Sequence, residues 1–119
     1  MAFIDVSEIS WHDAVLNAVS IVPSASGGAS AAVDVFVEAY KTHESSSRMR
    51  LRLRCDNVKR AVVAVDFLSL LDNAGPGNIG NIYVKSGQSS GGEKLSTLWI
   101  YLVDGVLEVA ASSVLVEVI

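Results

Sequence analysis

The side chains that could do chemistry are few: two imidazoles, His12 and His43, and one thiol, Cys55. Trp11-His12-Asp13 sets a carboxylate beside an imidazole, which is how an oriented base would begin. On an extended strand, however, neighbours point to opposite faces, so His12 and Asp13 are not expected to meet. His12 is expected to bond to backbone at the domain's edge, and His43 to be solvated in a loop. Only ordinary serines and Cys55 could serve His12 as a nucleophile. Two distant histidines and one cysteine also show none of the spacings that hold a metal. The sequence therefore predicts no catalytic, cofactor or metal site, and a protein that works by binding.

Two further patterns invite chemistry. Gly75-Pro76-Gly77-Asn78-Ile79-Gly80 has the literal spacing of a dinucleotide loop. That loop must leave a strand and open a helix whose N-terminus holds the pyrophosphate. Here a helix precedes and a strand follows, so the segment reads as a turn. Arg48, Arg50, Arg52 and Arg54, with Lys59 and Arg60, gather six of the nine basic residues and raise the question of nucleic acid. The preferred reading is a cross-strand charge ladder with Asp34 and Glu38, with Arg52 over Phe36 as a cation–π pair. Two acids facing four arginines leave some positive potential at the Tyr40 end.

These readings depend on the elements that carry them. From Val33 to Tyr40 the odd positions are apolar; from Arg48 to Cys55 they are apolar again, and every even position is Arg. Strict alternation separates two strand faces. Pairing Tyr40 with Arg48 sets Glu38 against Arg50, Asp34 against Arg54, Val37 against Leu51 and Val35 against Leu53. One register thus produces a dry face and a charge-matched wet face, and a one-residue slip would mix them. Cys55 falls on the dry face, where a thiol behaves as a small inert hydrophobe.

A second hairpin spans 98–111, with Asp104-Gly105 read as a type I′ turn. That turn sets Val103 against Val106, Tyr101 against Glu108 and Trp99 against Ala110. Leu98, Ile100, Leu102, Leu107, Val109 and Ala111 then form a core face. Val15–Val22 fits strand or helix, and its β-branched content and the stop at Pro23 favour strand. Ala61–Val65 could extend a strand, and Ile79–Lys85 and Val114–Ile119 read as further strands, the last after a break at Ser112-Ser113. A short helix is expected at 66–74, capped by Asp66, with Phe67, Leu70 and Leu71 on one face. The expected class is α+β, mainly antiparallel β, with about seven short strands.

At 119 residues, half of them apolar, the chain supports one core, so residues 1–119 are expected to be a single domain. No apolar run reaches the ~18 residues of a membrane span, and the N-terminus lacks a signal-peptide pattern. With a single thiol, a cytoplasmic setting is expected. A net charge of -4 disfavours generic nucleic-acid binding and suits a basic partner.

Ile9-Ser10-Trp11-His12-Asp13-Ala14, the alternating strands and the late Gly105-Val106-Leu107-Glu108-Val109 strand together resemble small bacterial immunity proteins of polymorphic-toxin systems, the wider class that includes contact-dependent growth inhibition. The resemblance implies that the chain binds a cognate toxin domain, such as a nuclease, in the cytoplasm and blocks its active site or substrate access. Acidic residues in variable positions are then the candidate contacts: Glu44 in one loop, Asp72 after the helix and Glu93 in another loop. The Trp-His-Asp segment would maintain the fold. Two other readings stay open, a self-assembling β domain pairing through its edges and a small nucleic-acid binder using the Arg row.

Overall fold

Alternation leaves most strands one apolar face to bury, and the sheet buries the greater part of these faces by curling on itself. The computed structural model describes residues 2–23, 30–42, 44–73, 77–88 and 91–119, with side chains from Asp5 onward. Strands are β1 (Ala2–Ile4), β2 (Ser10–Pro23), β3 (Ala31–Tyr40), β4 (Arg48–Val65), β5 (Ile79–Gln88), β6 (Lys94–Leu102) and β7 (Gly105–Val118). A 3-10 turn (Val6–Glu8) precedes β2, and one helix, α1 (Phe67–Asp72), follows β4. All pairings are antiparallel, in the order β1-β7-β4-β3-β2-β5-β6, and β6 also pairs with β7. Six strands therefore form a closed ring, and β1 lies beside it on the far end of β7.

The ring encloses Val35, Val37, Leu51, Leu53, Leu98, Ile100, Leu107 and Val109, each under 2 % exposed. Filled this way, its interior is a packed core. The first hairpin has the expected register at every pair from Val33↔Cys55 to Tyr40↔Arg48. Its outer face differs in part. Arg54 meets Asp34 as expected, with Nε 2.8 Å from Oδ1. Arg52 reaches across to Glu117 on β7 instead of lying over Phe36. The cation–π pair is Arg48 over Tyr40, at 5.2 Å, and Glu38 accepts a hydrogen bond from Asn17 Nδ2 at 3.0 Å. The hairpin alone could not reveal this, because the third strand of the ladder is distant in sequence.

The strands are longer than expected. β4 runs unbroken through the interval before Ala61, and β7 passes straight through Ser112-Ser113, held by Asp56↔Ser113 and Cys55↔Val114. β4 manages its length by bending at a bulge: Asn57 has φ +51°, and the register shifts between Val58 and Arg60. A bulge adds bend and twist, which a strand crossing a small closed sheet requires.

The second hairpin is displaced by two residues from expectation. Leu102 pairs with Gly105, Tyr101 with Val106 and Trp99 with Glu108, so the turn centres on Val103-Asp104. Gly105 pairs with Val65 of β4, and a β-carbon on it would strike the carbonyl oxygen of Ala64. Glycine stands there to let β4 approach, not to supply the positive φ of a type I′ turn. Because the displacement is even, the faces survive: Leu98, Ile100, Leu102, Leu107, Val109 and Ala111 are all buried.

Helix α1 has its expected N-cap, Asp66, whose Oδ1 accepts from Ser69 N at 3.1 Å. The helix ends at Asp72. His43 and the segments 24–29, 74–76 and 89–90, which the sequence reads as loop, helix stop and turn, lie outside the described residues.

Candidate functional site

A helix of six residues cannot hold its own place, and α1 is held by its neighbours. Asp66 N donates to Asp104 O at 3.1 Å, and Ser69 Oγ donates to Asp104 Oδ2 at 2.6 Å. Asn78 Nδ2 donates to Leu70 O at 3.1 Å. These tethers turn Ser69 and Leu70 towards the barrel, and Leu70 packs on its core. The expected face of Phe67, Leu70 and Leu71 is therefore split. Phe67, Leu68 and Leu71 stand outward, 70 %, 76 % and 69 % exposed. Val103 in the adjoining turn is exposed as well.

Three large apolar side chains on two turns of helix form a surface that water solvates poorly. Asp66 caps this helix, Asp72 ends it and Asp104 is bonded to its Ser69, while Arg48 reaches the same end of the molecule, its Nε donating to Asp13 O beside Gly77. An apolar centre with three carboxylates on the helix and its tether suits a protein surface that offers apolar and basic groups.

The anchor of this end of the molecule is Asn78, only 1 % exposed. Its backbone N donates to Ala14 O at 2.9 Å, and its carbonyl accepts from Val103 N at 3.0 Å. Its Oδ1 accepts from Leu16 N at 2.8 Å, which with the Leu70 bond ties β2, α1 and the β6–β7 turn together. Gly77, at φ +128°, leads into it, where a β-carbon would collide with the backbone of Asp13. Gly77-Asn78 is thus a structural seam, and nothing local in the sequence marks Asn78 as buried.

The imidazole candidate differs from expectation. Asp13 has φ +62° in a bulge where β2 gains residues on β3, so its side chain swings to the side of His12. His12 Nε2 and Asp13 Oδ2 lie 3.5 Å apart, with the His12 side chain 85 % exposed. Asp13 tolerates the left-handed region because its short polar side chain allows it. Cys55 is remote from this pair, inside the barrel. Among the described residues no three of His, Cys, Asp and Glu gather as metal ligands.

Burial, and after it the charge of Asp34, pushes the Cys55 thiol from 9.0 up to about 12. Its contribution to stability is complete below pH 9 and is lost as pH rises towards 12, because only the unfolded chain ionises there. Across that window the thiol alone should cost about 1.4 kcal/mol of stability per pH unit, and Cys55→Ala should remove that slope from urea-unfolding curves. Iodoacetamide at pH 8 should label the native chain at least about a hundredfold more slowly than the unfolded one.

The three predicted contact residues do not form one patch. Asp72 closes α1 and belongs to the acidic rim. Glu44 lies in the loop after β3, where its N–H is 3.3 Å from Thr42 Oγ1. Glu93 immediately precedes β6, with an oxygen 3.4 Å from Lys59 Nζ. Glu93 and α1 stand at opposite ends of that nine-residue strand, about 30 Å apart at ~3.3 Å per residue.

Among the described residues no helix is long and apolar enough to cross a membrane. Comparison of the chain with protein-family models, with curated proteins and with solved structures gives no match in any of the three.

Proposed function

We propose that this protein is an immunity protein that binds a cognate toxin domain one to one in the cytoplasm and blocks its active site or substrate access. The observation that carries the reading is the outward apolar face of α1, Phe67, Leu68 and Leu71, bordered by Asp66, Asp72 and Asp104. A nuclease toxin needs a basic surface to hold phosphates, and an acid-rimmed apolar patch would be drawn to it and then dock by burial. Asp72 is the contact residue that this surface retains from the sequence. The protein acts by occupancy rather than by turnover.

A nucleic-acid role for the Arg row has less support, since Arg52 and Arg54 each spend their charge on a carboxylate, Glu117 and Asp34.

The test is co-expression with the product of the gene immediately upstream. One-to-one co-purification and relief of growth arrest are expected. Leu68→Glu, at an exposed position, should leave folding intact and weaken capture by at least about thirtyfold, the effect of losing a central anchor. Failure of capture and rescue by the unaltered chain would remove the reading. Undiminished capture by Leu68→Glu would move the contact away from α1.

A further inference from the structure

Strand β5 is paired along its whole length with β6, from Ile79↔Leu102 to Gln88↔Lys94. Its other edge meets β2 at a single pair, Ala14↔Ile79. From Gly80 to Gln88 that edge carries no strand partner among the described residues. An open edge presents N–H and C=O groups at strand spacing, and proteins usually cover, shorten or charge such edges. Here the strand is ten residues long and carries one charge, Lys85.

Beside the start of this edge lies a groove of about 620 Å³, walled by β5, by the 3-10 turn with the beginning of β2, and by β7 at Val114, Leu115 and Val116. Val6, Ile9, Trp11, Ile82, Val84 and Val114 supply its apolar lining. The Trp11 ring is a fixed wall, because its indole N–H donates to Val6 O at 2.8 Å. Of all the lining residues only Asp5 is charged, and none is basic. Its Oδ1 accepts from Ser7 N at 2.9 Å and from Ser7 Oγ at 2.8 Å, so the carboxylate is held in place at the rim. Those two bonds also keep it ionised, below the usual carboxylate range.

We infer that this groove is a second binding site, distinct from α1, that takes an extended basic–apolar peptide segment of a partner protein as an added strand on the open edge of β5. Each feature answers one part of such a segment. The edge groups from Tyr83 to Gln88 pair with its main chain, the Ile82 N–H before them being already bonded to Asn81 Oδ1 at 2.8 Å. The groove receives an apolar side chain against Trp11 and Ile82, and Asp5 receives a Lys or Arg. A compact small molecule would use the groove and leave the edge unpaired. An acidic segment would place like charge on Asp5. The inference goes beyond toxin neutralisation and does not rest on it.

The full chain, isotope-labelled, is titrated with a capped hexapeptide of alternating valine and lysine. The amides of β5 and the Trp11 indole should shift. At a peptide concentration ten times Kd, alternate amides between Tyr83 and Gln88 should exchange roughly tenfold more slowly, as the unbound fraction falls. Asp5→Asn keeps an acceptor for Ser7 and removes the charge, so affinity should fall about threefold while the protection pattern persists. Leu68→Glu should bind the peptide as the unaltered chain does. Three outcomes would overturn the inference: equal binding of a valine–glutamate hexapeptide, shifts confined to α1 or to the Arg row, or β5 protection that rises with protein concentration without peptide. The last would mean that a second copy of the chain occupies the edge.

Discussion

Replacing Asn78 with Ala is expected to cost about 2–4 kcal/mol, because it leaves two part-buried backbone groups without partners. The side chain fills its hydrogen-bonding positions in opposite senses. Its Oδ1 accepts from Leu16 N, and its Nδ2 donates to Leu70 O, so no apolar residue can substitute for it. The cost is raised by where the bonds lie. The ring closes between β2 and β5 through the single pair Ala14↔Ile79, and the Asn78 bonds flank that pair. Asn78→Asp separates the two halves of the argument. It keeps an acceptor for Leu16 but turns a carboxylate towards the Leu70 carbonyl, and it should destabilise nearly as much as Ala. Urea unfolding followed by tryptophan fluorescence measures both variants. A loss below about 1 kcal/mol would mean that water or a shift of α1 replaces the side chain. Because the same residue holds α1 to the barrel, even a folded Asn78→Ala protein should bind its partner less well.

What could be read from the sequence divides along locality. The hairpin 33–55 was legible to the residue, since a dry stripe and a charged stripe had to agree and only one register allows both. The core face of 98–111 was legible for the same reason, although its turn was not. Gly105 is explained by the carbonyl of Ala64, 41 residues away in the chain, and no local rule reports such a neighbour. The bulges at Asp13 and Asn57 carried a faint signal, since Asp and Asn are the residues that enter the left-handed region most readily. Alternation alone concealed them. In α1 the periodicity identified a helix and Asp66 its cap, but which face is buried was decided by Ser69, Leu70 and their tethers. Loop position and charge pointed to Asp72, Glu44 and Glu93 equally, whereas only Asp72 lies in the rim of the exposed apolar surface. The groove beside β5 had no sequence signal, because it arises where two strands stop pairing.

The charge ladder yields an asymmetry that its sequence reading would not. Arg52 and Glu117 are ion-paired, but the Glu117 side chain is 4 % exposed and that of Arg52 is 25 % exposed. Removing either partner strands the other, and the cost depends on what the survivor can reach. After Glu117→Gln, the Arg52 guanidinium can turn towards water and still meet a neutral acceptor, so the loss should be about 1 kcal/mol. After Arg52→Met, the volume is kept but a carboxylate remains buried between strands with no cation, and the loss should be about 3–4 kcal/mol. Arg54 does not rescue it, because that guanidinium is held by Asp34. The double variant Arg52→Met, Glu117→Leu should recover most of the stability, since it removes both desolvated charges and fills the space with apolar groups. Equal losses for the two single variants would show that the pair is solvated in solution. Additive losses in the double variant would show that the two side chains do not interact. With the expected pattern, three of the four arginines of the row 48–54 have structural partners: Arg52 with Glu117, Arg54 with Asp34 and Arg48 over Tyr40. The row that most suggested nucleic acid is then chiefly what lets the outer face of a closed, strand-rich barrel carry buried acids.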